Sequence, residues 1–327
     1  MAASKNNVKN GLAAALALPV TVSLAWLLYS RFRINHRVHL SAALPAERKT
    51  LISPSAGHLI YYRDNQTAGT PLVLLHSINA AASSYELRPL FQHYRAARPV
   101  YALDLPGFGF SERANVRYTP RLYTQAIADF LAAEVGQPAD VIALSLTSEF
   151  AARAALENPS LFRSLTMISP TGLSAKQEAM SGGHSMLRRV LLFPVWSQAL
   201  FDLLATQESI HAFLERSFVG EVDKGLDSYA YETTHQPGAR YAPFAFVSGC
   251  LFSPDIRTAV YDKLTIPVCV LYDEDPYVSF ERLPDLLTSH PNWHAERLIP
   301  TRGLPHFEKL DETVLALDRF WSSVNPG

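Results

Sequence analysis

Short apolar runs recur along the chain from about residue 58 and alternate with longer stretches of helical periodicity. The runs are HLIYY at 58, PLVLL at 71, RPVYAL at 98, DVIAL at 140, SLTMIS at 164, PVCVLY at 267 and AERLI at 295. Runs that are apolar throughout are typical of strands buried on both faces, and intervening helices connect such strands in parallel. The pattern predicts an α/β fold with a mostly parallel, twisted sheet flanked by helices.

The gap between the run that ends at Ser169 and the run that starts at Pro267 is too long for one crossover connection. Residues 186–218 in this gap carry Leu, Phe and Trp at helical spacing, interrupted at Pro194. The spacing predicts an inserted helical cap at about 172–246. The cap is either a helical elaboration packed on the body or a roof over a pocket at the carboxyl edge of the sheet.

The segment from Gly11 to Tyr29 has no charged residue and would be roughly 28 Å long as a helix, close to the thickness of a bilayer core. No small-residue cleavage site follows it directly, which favours an uncleaved membrane anchor over a removed signal peptide. The alternative is a buried helix on the domain. Arginines after the segment favour a cytoplasmic domain. We therefore divide the chain into an anchor and linker at 1–45 and a globular domain at 46–327.

Composition excludes several classes of function. A net charge of −1 gives no basic patch for nucleic acid. Cys250 and Cys269 lack metal-ligand spacing, and no phosphate loop or dinucleotide fingerprint is visible, since GFGFSE ends on Glu112 where a third glycine is needed. We expect no metal and no cofactor, and the sequence does not indicate an oligomeric state.

Several stretches in fixed order carry candidate chemistry. LLHSINAAASSYELRPLF contains a histidine loop after a buried strand, and ALDLPGFGFSER is an Asp-x-Pro-Gly-x-Gly-x-Ser segment. ALSLT at 143–147 places Ser145 where a strand turns into a helix. Together with the acidic cluster after PVCVLY and the segment GLPHFE at 303–308, these stretches resemble the serine-nucleophile branch of the α/β-hydrolase family. The resemblance covers nearly everything from about residue 50 to the C-terminus.

The resemblance implies that Ser145 is the nucleophile of a G-x-S-x-G elbow, a strained turn that exposes the hydroxyl. Two positions depart from that pattern. Ala143 is a small change from glycine, whereas Thr147 adds a β-branched side chain where the helix starts close to the sheet. The elbow is therefore degenerate.

The resemblance also assigns an acid, a base and an oxyanion hole. Asp275 stands where the family acid is expected, with Asp273 and Glu274 as fallbacks, and His306 is the expected base. The backbone amides of Ile78 and Leu146 are the expected oxyanion donors. Ser77, which replaces a glycine, and Asn79 are expected to contact the substrate. His76 is expected to brace its loop.

These assignments predict a serine hydrolase that cleaves an ester, thioester or similar acyl bond through a Ser-His-Asp triad. The apolar cap and the anchor favour a hydrophobic small molecule or a lipid as substrate. Two alternatives stay open. The replaced glycines also fit a catalytically silent binding or scaffold protein at a membrane, and an acyltransferase or haloperoxidase-like member would share the triad.

Overall fold

Eight strands form one sheet in the computed structural model, which describes residues 23–175 and 185–324. The strands run in the spatial order β1-β2-β4-β3-β5-β6-β7-β8, with β1 and β2 antiparallel to their neighbours and the rest parallel. The mostly parallel sheet predicted from the apolar runs is confirmed. The strands are β1 Glu47–Ser53, β2 Gly57–Asp64, β3 Leu72–Leu75, β4 Val100–Asp104, β5 Ala139–Leu144, β6 Phe162–Ile168, β7 Val268–Tyr272 and β8 Trp293–Arg297.

The edge strand β1 is the one strand of the sheet that no apolar run predicted. Its residues 47–50 are polar, and within the strand only Leu51 and Ser53 are buried. An edge strand with one solvated face needs few apolar side chains. It therefore leaves no continuous run in the sequence.

Helices cover both faces of the sheet, and several more lie between β6 and β7, where the cap was predicted. In chain order they are α1 at 23–33, α2 Arg88–Tyr94, α3 Pro120–Phe130, α4 Thr147–Glu157, α5 Ser185–Leu191, α6 Ser197–Leu204, α7 Gln207–Glu215, α8 Lys224–Thr234, α9 Tyr241–Val247, α10 Ile256–Ala259, α11 Leu283–Ser289, α12 Pro305–Glu308 and α13 Leu310–Val324. A single 3-10 turn, Ser84–Leu87, precedes α2.

The sheet separates two apolar cores. Side chains of α3 and α4 pack on one face, where Tyr123 and Phe150 stack at 5.0 Å between ring centroids. Side chains of α2 and α13 pack on the other, where Tyr94 meets Trp321 edge to face at 5.3 Å. Because consecutive side chains of a strand point to opposite faces, strands that are buried along their whole length, such as β3 and β5, supply both cores.

The segment at 104–111 is a structural brace. The buried Asp104 carboxylate accepts hydrogen bonds from the amides of Ser84 and Phe110 and from the Ser84 hydroxyl. Gly109 lies against that carboxylate at a φ of 50°, and a Cβ there would be 2.1 Å from Asp104 Cγ. The glycine is needed both for its backbone conformation and for the close approach of the carboxylate.

The helix α1 rests on the cap. The Trp26 indole donates to the carbonyl of Ala199 at 2.8 Å, and the Ser30 hydroxyl donates to Asp202 at 2.5 Å. Within residues 23–175 and 185–324, no helix combines the length and apolarity that crossing a bilayer requires. The predicted span at 11–29 falls mostly outside these ranges.

We predict that Gly109→Ala lowers the free energy of unfolding by at least about 2 kcal/mol, because it adds a steric conflict with Asp104 to backbone strain. Gly136→Ala is the matched control, since Gly136 has a φ of 68° and open space at its Cβ, so strain alone costs about 1 kcal/mol. Urea unfolding measures both. Equal losses would show that the Asp104 contact is unimportant.

Candidate active site

A cavity of about 380 Å³ lies at the carboxyl ends of the parallel strands, where the cap covers them. Residues that follow β3, β5, β7 and β8 form its floor, and apolar side chains of α7 and α9 form its roof, among them Phe213 and Phe246. This edge of an open α/β sheet is where ligands bind. The loops therefore bring together Ser145, Asp275, Ser77, Asn79, Ile78 and Leu146, although they are far apart in the chain.

Ser145 occupies a strained turn between β5 and α4. Its φ is 51°, in the left-handed region that non-glycine residues seldom adopt. The amide of Ser145 donates to the carbonyl of Ile168 on β6 at 2.8 Å, and its carbonyl accepts from Ser148 at 3.1 Å, so both sides of the turn are held. The side chain is partly exposed and opens onto the cavity.

The threonine at position 147 has a structural use. Thr147 is fully buried, and its hydroxyl donates to the carbonyl of His76 at 2.7 Å. A glycine could not make this bond, which ties the start of α4 to the loop after β3. The departure from the expected elbow pattern is therefore compensated by a hydrogen bond between the two loops that flank Ser145.

The backbone amides of Ile78 and Leu146 both lie at the cavity wall. Neither amide donates a hydrogen bond to another residue in the described part of the chain. Amides that are open at the end of a strand and at the start of a helix are suited to donate hydrogen bonds to a carbonyl oxygen that develops negative charge. Their predicted role as oxyanion donors stays a prediction that this geometry permits.

Glu86 is a cavity residue that sequence reasoning missed. Its buried carboxylate accepts from the Ser77 amide at 2.8 Å, from the Ser77 hydroxyl at 3.0 Å and from the Asn79 amide group at 2.8 Å. Burial raises the pKa of Glu86, and these hydrogen bonds oppose that rise. Ser77 and Asn79, predicted to contact substrate, thus line the cavity while their polar groups hold Glu86.

His76 braces its loop, as expected from the sequence. The Leu105 amide donates to His76 Nε2 at 2.9 Å, so the ring carries its proton on Nδ1 and donates it to the carbonyl of Ser77 at 2.7 Å. Burial lowers the pKa of His76 to about 4. The ring is therefore neutral and fully engaged.

Asp275, rather than its two acidic neighbours, faces the cavity. Asp275 Oδ1 accepts from the amides of Tyr277 and Val278 at 2.8 and 3.1 Å. Burial raises the pKa of the carboxyl, and these bonds together with a hydrogen bond from the Ser169 side chain partly offset that rise. Asp273 instead pairs with Arg297 and accepts from the Thr301 amide, and Glu274 is exposed.

The structure does not bring His306 into the cavity. The ring is completely buried, and its Nε2 donates to the backbone carbonyl of Glu86 at 2.6 Å. Nδ1 is buried and has no partner among the described residues, so neither ring nitrogen bonds Ser145 or Asp275. In this arrangement the ring fixes the Glu86 turn to α12, and the role of His306 as the base stays a prediction.

Gly303, three residues earlier, is the residue of this segment that lies against the acid. A Cβ built on Gly303 would lie only 2.9 Å from Asp275 Oδ2, too close for a side chain unless Asp275 moved, and Gly303 lines the cavity whereas His306 does not. No histidine is found among the described residues that line the cavity. The segment GLPHFE contains one histidine, His306. Which residue of the segment lies beside Asp275 depends on the local backbone geometry.

A family model described as the alpha/beta hydrolase family matches residues 72–316. The chain belongs to the alpha/beta hydrolase family. The match spans the sheet from β3 to β8, the cap and most of α13.

Among curated proteins, the chain is 26% identical over 160 residues to the rat 1-acylglycerol-3-phosphate O-acyltransferase ABHD5. The match takes in 47% of this chain and 43% of the rat protein, so the chain spans less than half the length of this relative. The mouse protein of the same name matches equally.

Solved structures of other α/β hydrolases share the fold at low sequence identity. The CarC serine hydrolase of carbazole degradation superposes with a TM-score of 0.68 at 16% identity, covering 84% of this chain and 98% of that protein. A membrane phospholipase A described as a bacterial virulence factor gives 0.66 at 17% identity and covers 99% of both chains. An aryl esterase structure from Burkholderia cenocepacia gives 0.66 at 15% identity over 85% and 99%.

We predict that His306 makes stability depend on pH below neutrality. Burial lowers the pKa of His306 to about 4, from an ordinary value of 6.5, so between these values the unfolded chain binds a proton that the folded protein does not. The free energy of unfolding must therefore fall as pH drops through this window, by on the order of 3 kcal/mol from this residue. His306→Asn should reduce that fall, measured by urea unfolding between about pH 7 and 4.5.

His58→Asn, at an exposed ring, controls for the removal of a histidine as such. His76 acts with the same sign and remains in both variants, so some pH dependence persists. An unchanged fall in His306→Asn would mean that the ring is not held neutral in the folded protein.

Proposed function

We propose that the protein acts on the carbonyl of an apolar acyl compound, as a serine-type hydrolase of an ester, thioester or similar bond. One observation carries this proposal. Ser145 is held in a left-handed conformation at the end of β5 and opens onto an apolar, cap-covered cavity. Strain of this kind costs about 1 to 3 kcal/mol and persists where the surrounding structure imposes it, most often at functional sites.

The remaining machinery supports the same chemistry. The open amides of Ile78 and Leu146 would stabilise the oxyanion that forms when Ser145 Oγ attacks a carbonyl carbon. The apolar roof, with Phe213, Leu214 and Phe246, favours a hydrophobic small molecule or lipid chain. The name of the rat relative keeps acyl transfer within the proposal, because an alcohol in place of water would complete that reaction.

A second candidate is a catalytically silent protein that binds the same class of ligand. It is favoured by a specific observation: no described residue lining the cavity is a histidine, and His306 is engaged with the carbonyl of Glu86. A serine without an aligned base loses about 10²- to 10⁴-fold in rate. An experiment must therefore distinguish slow turnover of an acyl compound from binding of that compound without turnover.

We predict that a fluorophosphonate probe labels wild-type protein at Ser145, slowly because no described histidine donates to or accepts from its hydroxyl in this arrangement. Mass spectrometry of the labelled peptide locates the adduct. Ser145→Ala should not be labelled, and Ser148→Ala, which removes the neighbouring buried hydroxyl on α4, is the matched control that should still be labelled. Ligand binding without any adduct at residue 145 would favour the silent binding protein.

We also propose that the protein works at a membrane, held by residues 11–29 with the domain on the cytoplasmic side. Exposed apolar side chains continue from this segment along α1 and over α5 and α6, including Leu28, Phe32, Met186 and Leu203. Arginines lie among them and would favour anionic lipid headgroups. A membrane phospholipase A superposes over 99% of both chains, which supports the proposal by analogy.

We predict that the full chain sediments with membranes and resists extraction by high salt. The double variant Leu16→Arg and Leu18→Arg should shift to the soluble fraction, because each arginine costs about 3 kcal/mol within an inserted helix. Ile52→Arg, at an exposed apolar residue of β1, is the control and should stay with the membrane. Equal extraction of all three proteins would reject the anchor.

A further inference from the structure

A second, smaller cavity adjoins the active-site cavity under the cap. Its volume is about 120 Å³, and we call it the side chamber. The two cavities share the lining residues Asn79, Glu86, Phe213 and Leu214, so they are neighbouring compartments divided by these side chains. The apolar residues that line the side chamber alone are Ala80, Ala81, Leu204, Ile210, Leu226 and Ala230.

The polar side chains that line the side chamber form hydrogen bonds within the protein. The Asn79 amide group donates to Ser77 Oγ and to Glu86 Oε1, both at 2.8 Å. The Ser209 hydroxyl donates to the carbonyl of Leu203 at 2.9 Å. Because these groups are satisfied inside the protein, the side chamber offers mainly apolar contacts. A cavity of this kind favours an alkyl group over a polar ligand or water.

The side chamber lies on one side of Ser145. Its described lining includes residues 79–81 of the loop after β3, and no residue from the loops after β5, β7 or β8. In the sheet, β3 flanks β5 on one side, and β6, β7 and β8 follow on the other. Asp275, which follows β7, therefore lies on the opposite side of Ser145 from the side chamber.

This placement distinguishes the two ends of an acyl substrate. In a serine hydrolase the acid orients the group that returns a proton to the leaving atom. The leaving group is therefore expected on the Asp275 side of Ser145. The acyl chain is then expected on the β3 side, where the side chamber lies.

The ring of Phe213 lies between the active-site cavity and the side chamber, because it lines both. The residue is only partly buried. Its ring stacks on that of Tyr277, in the loop after β7, with 5.4 Å between the ring centroids and 24° between the ring planes. The position of this stacked ring determines the width of the opening between the two compartments.

From these observations we propose that the side chamber is the subsite for the acyl chain of the substrate, and that Phe213, positioned by Tyr277, restricts it to unbranched chains. The proposal rests on the proposed function and names its substrate class, esters or thioesters of linear acyl chains that extend past Phe213. Such a chain leaves water for apolar contacts with α6, α7 and α8. Each methylene that enters therefore raises kcat/KM roughly fourfold.

The first experiment compares the hydrolysis of p-nitrophenyl butyrate with that of p-nitrophenyl octanoate, which has the longer acyl chain. For wild type, kcat/KM should be at least about tenfold higher for the octanoate. Ala230→Phe fills the side chamber from α8, so it should lower the ratio of the octanoate value to the butyrate value by at least about tenfold.

Ala212→Phe is the matched control for this experiment. Ala212 is exposed on α7 beside Phe213 and lines neither cavity, so the ratio should stay at the wild-type value. An unchanged ratio in Ala230→Phe, in a protein with the circular dichroism of wild type, would overturn the proposal.

The role of Phe213 is tested with an isomer of the octanoate ester that carries a methyl branch in the middle of its acyl chain. Phe213→Ala should raise the ratio of branched to linear kcat/KM by about tenfold, because the wider opening accepts the branch. Tyr277→Ala should raise the ratio as well, whereas Tyr277→Phe keeps the stacked ring and should retain the wild-type value. Equal ratios in Phe213→Ala and wild type would show that Phe213 does not control the opening.

A third measurement locates the chain in wild-type protein and does not depend on any variant. An alkyl fluorophosphonate with a diazirine at the end of an octyl chain should react at Ser145 and, on illumination, cross-link to α6 or α8. These helices line the side chamber and not the active-site cavity. Cross-links to α9 or Phe252 instead would overturn the subsite and leave the proposed function intact. If no adduct forms at Ser145 and neither ester is hydrolysed, the proposed function fails and the subsite fails with it.

Discussion

The buried carboxylate of Glu86 organises the ligand-facing half of this protein. A carboxylate without hydrogen bonds would be costly in such a place, and its oxygens are satisfied by the Ser77 amide and hydroxyl and by Asn79. The carbonyl of the same residue accepts the proton of His306. One residue therefore fixes the loop after β3, which carries the open amide of Ile78, to the C-terminal segment.

That constraint determines what the neighbouring groups can do. A histidine whose Nε2 is a donor to a backbone carbonyl cannot use the same nitrogen to accept a proton from a serine. The Thr147 hydroxyl bound to the carbonyl of His76 links the elbow to the same loop, so Ser145 keeps its strained turn without glycines around it. The two loops that flank Ser145 are therefore held together where carbonyl attack would occur.

Residues from distant parts of the chain meet at one cavity. Ile78 follows β3, Ser145 follows β5 and Asp275 follows β7, and they lie together because parallel strands end at the same edge of the sheet. Helices α7 and α9 supply apolar walls to the same cavity. The shape of the site therefore depends on the order of the strands and on the helices inserted between β6 and β7.

The sequence by itself determined the α/β class, seven of the strands and the turn at Ser145, because uniformly apolar runs and motif order report local structure and burial. The sequence did not predict β1, because the solvated face of that strand needs few apolar residues. It also did not indicate Glu86, which resembles an ordinary residue at the start of a helix and is buried only in the folded protein. Only the tertiary structure placed Gly303 at the cavity and buried the His306 ring against the carbonyl of Glu86. The two residues are three positions apart in one short turn, and their surroundings depend on how β8, α12 and the Glu86 turn pack together, which local sequence does not report.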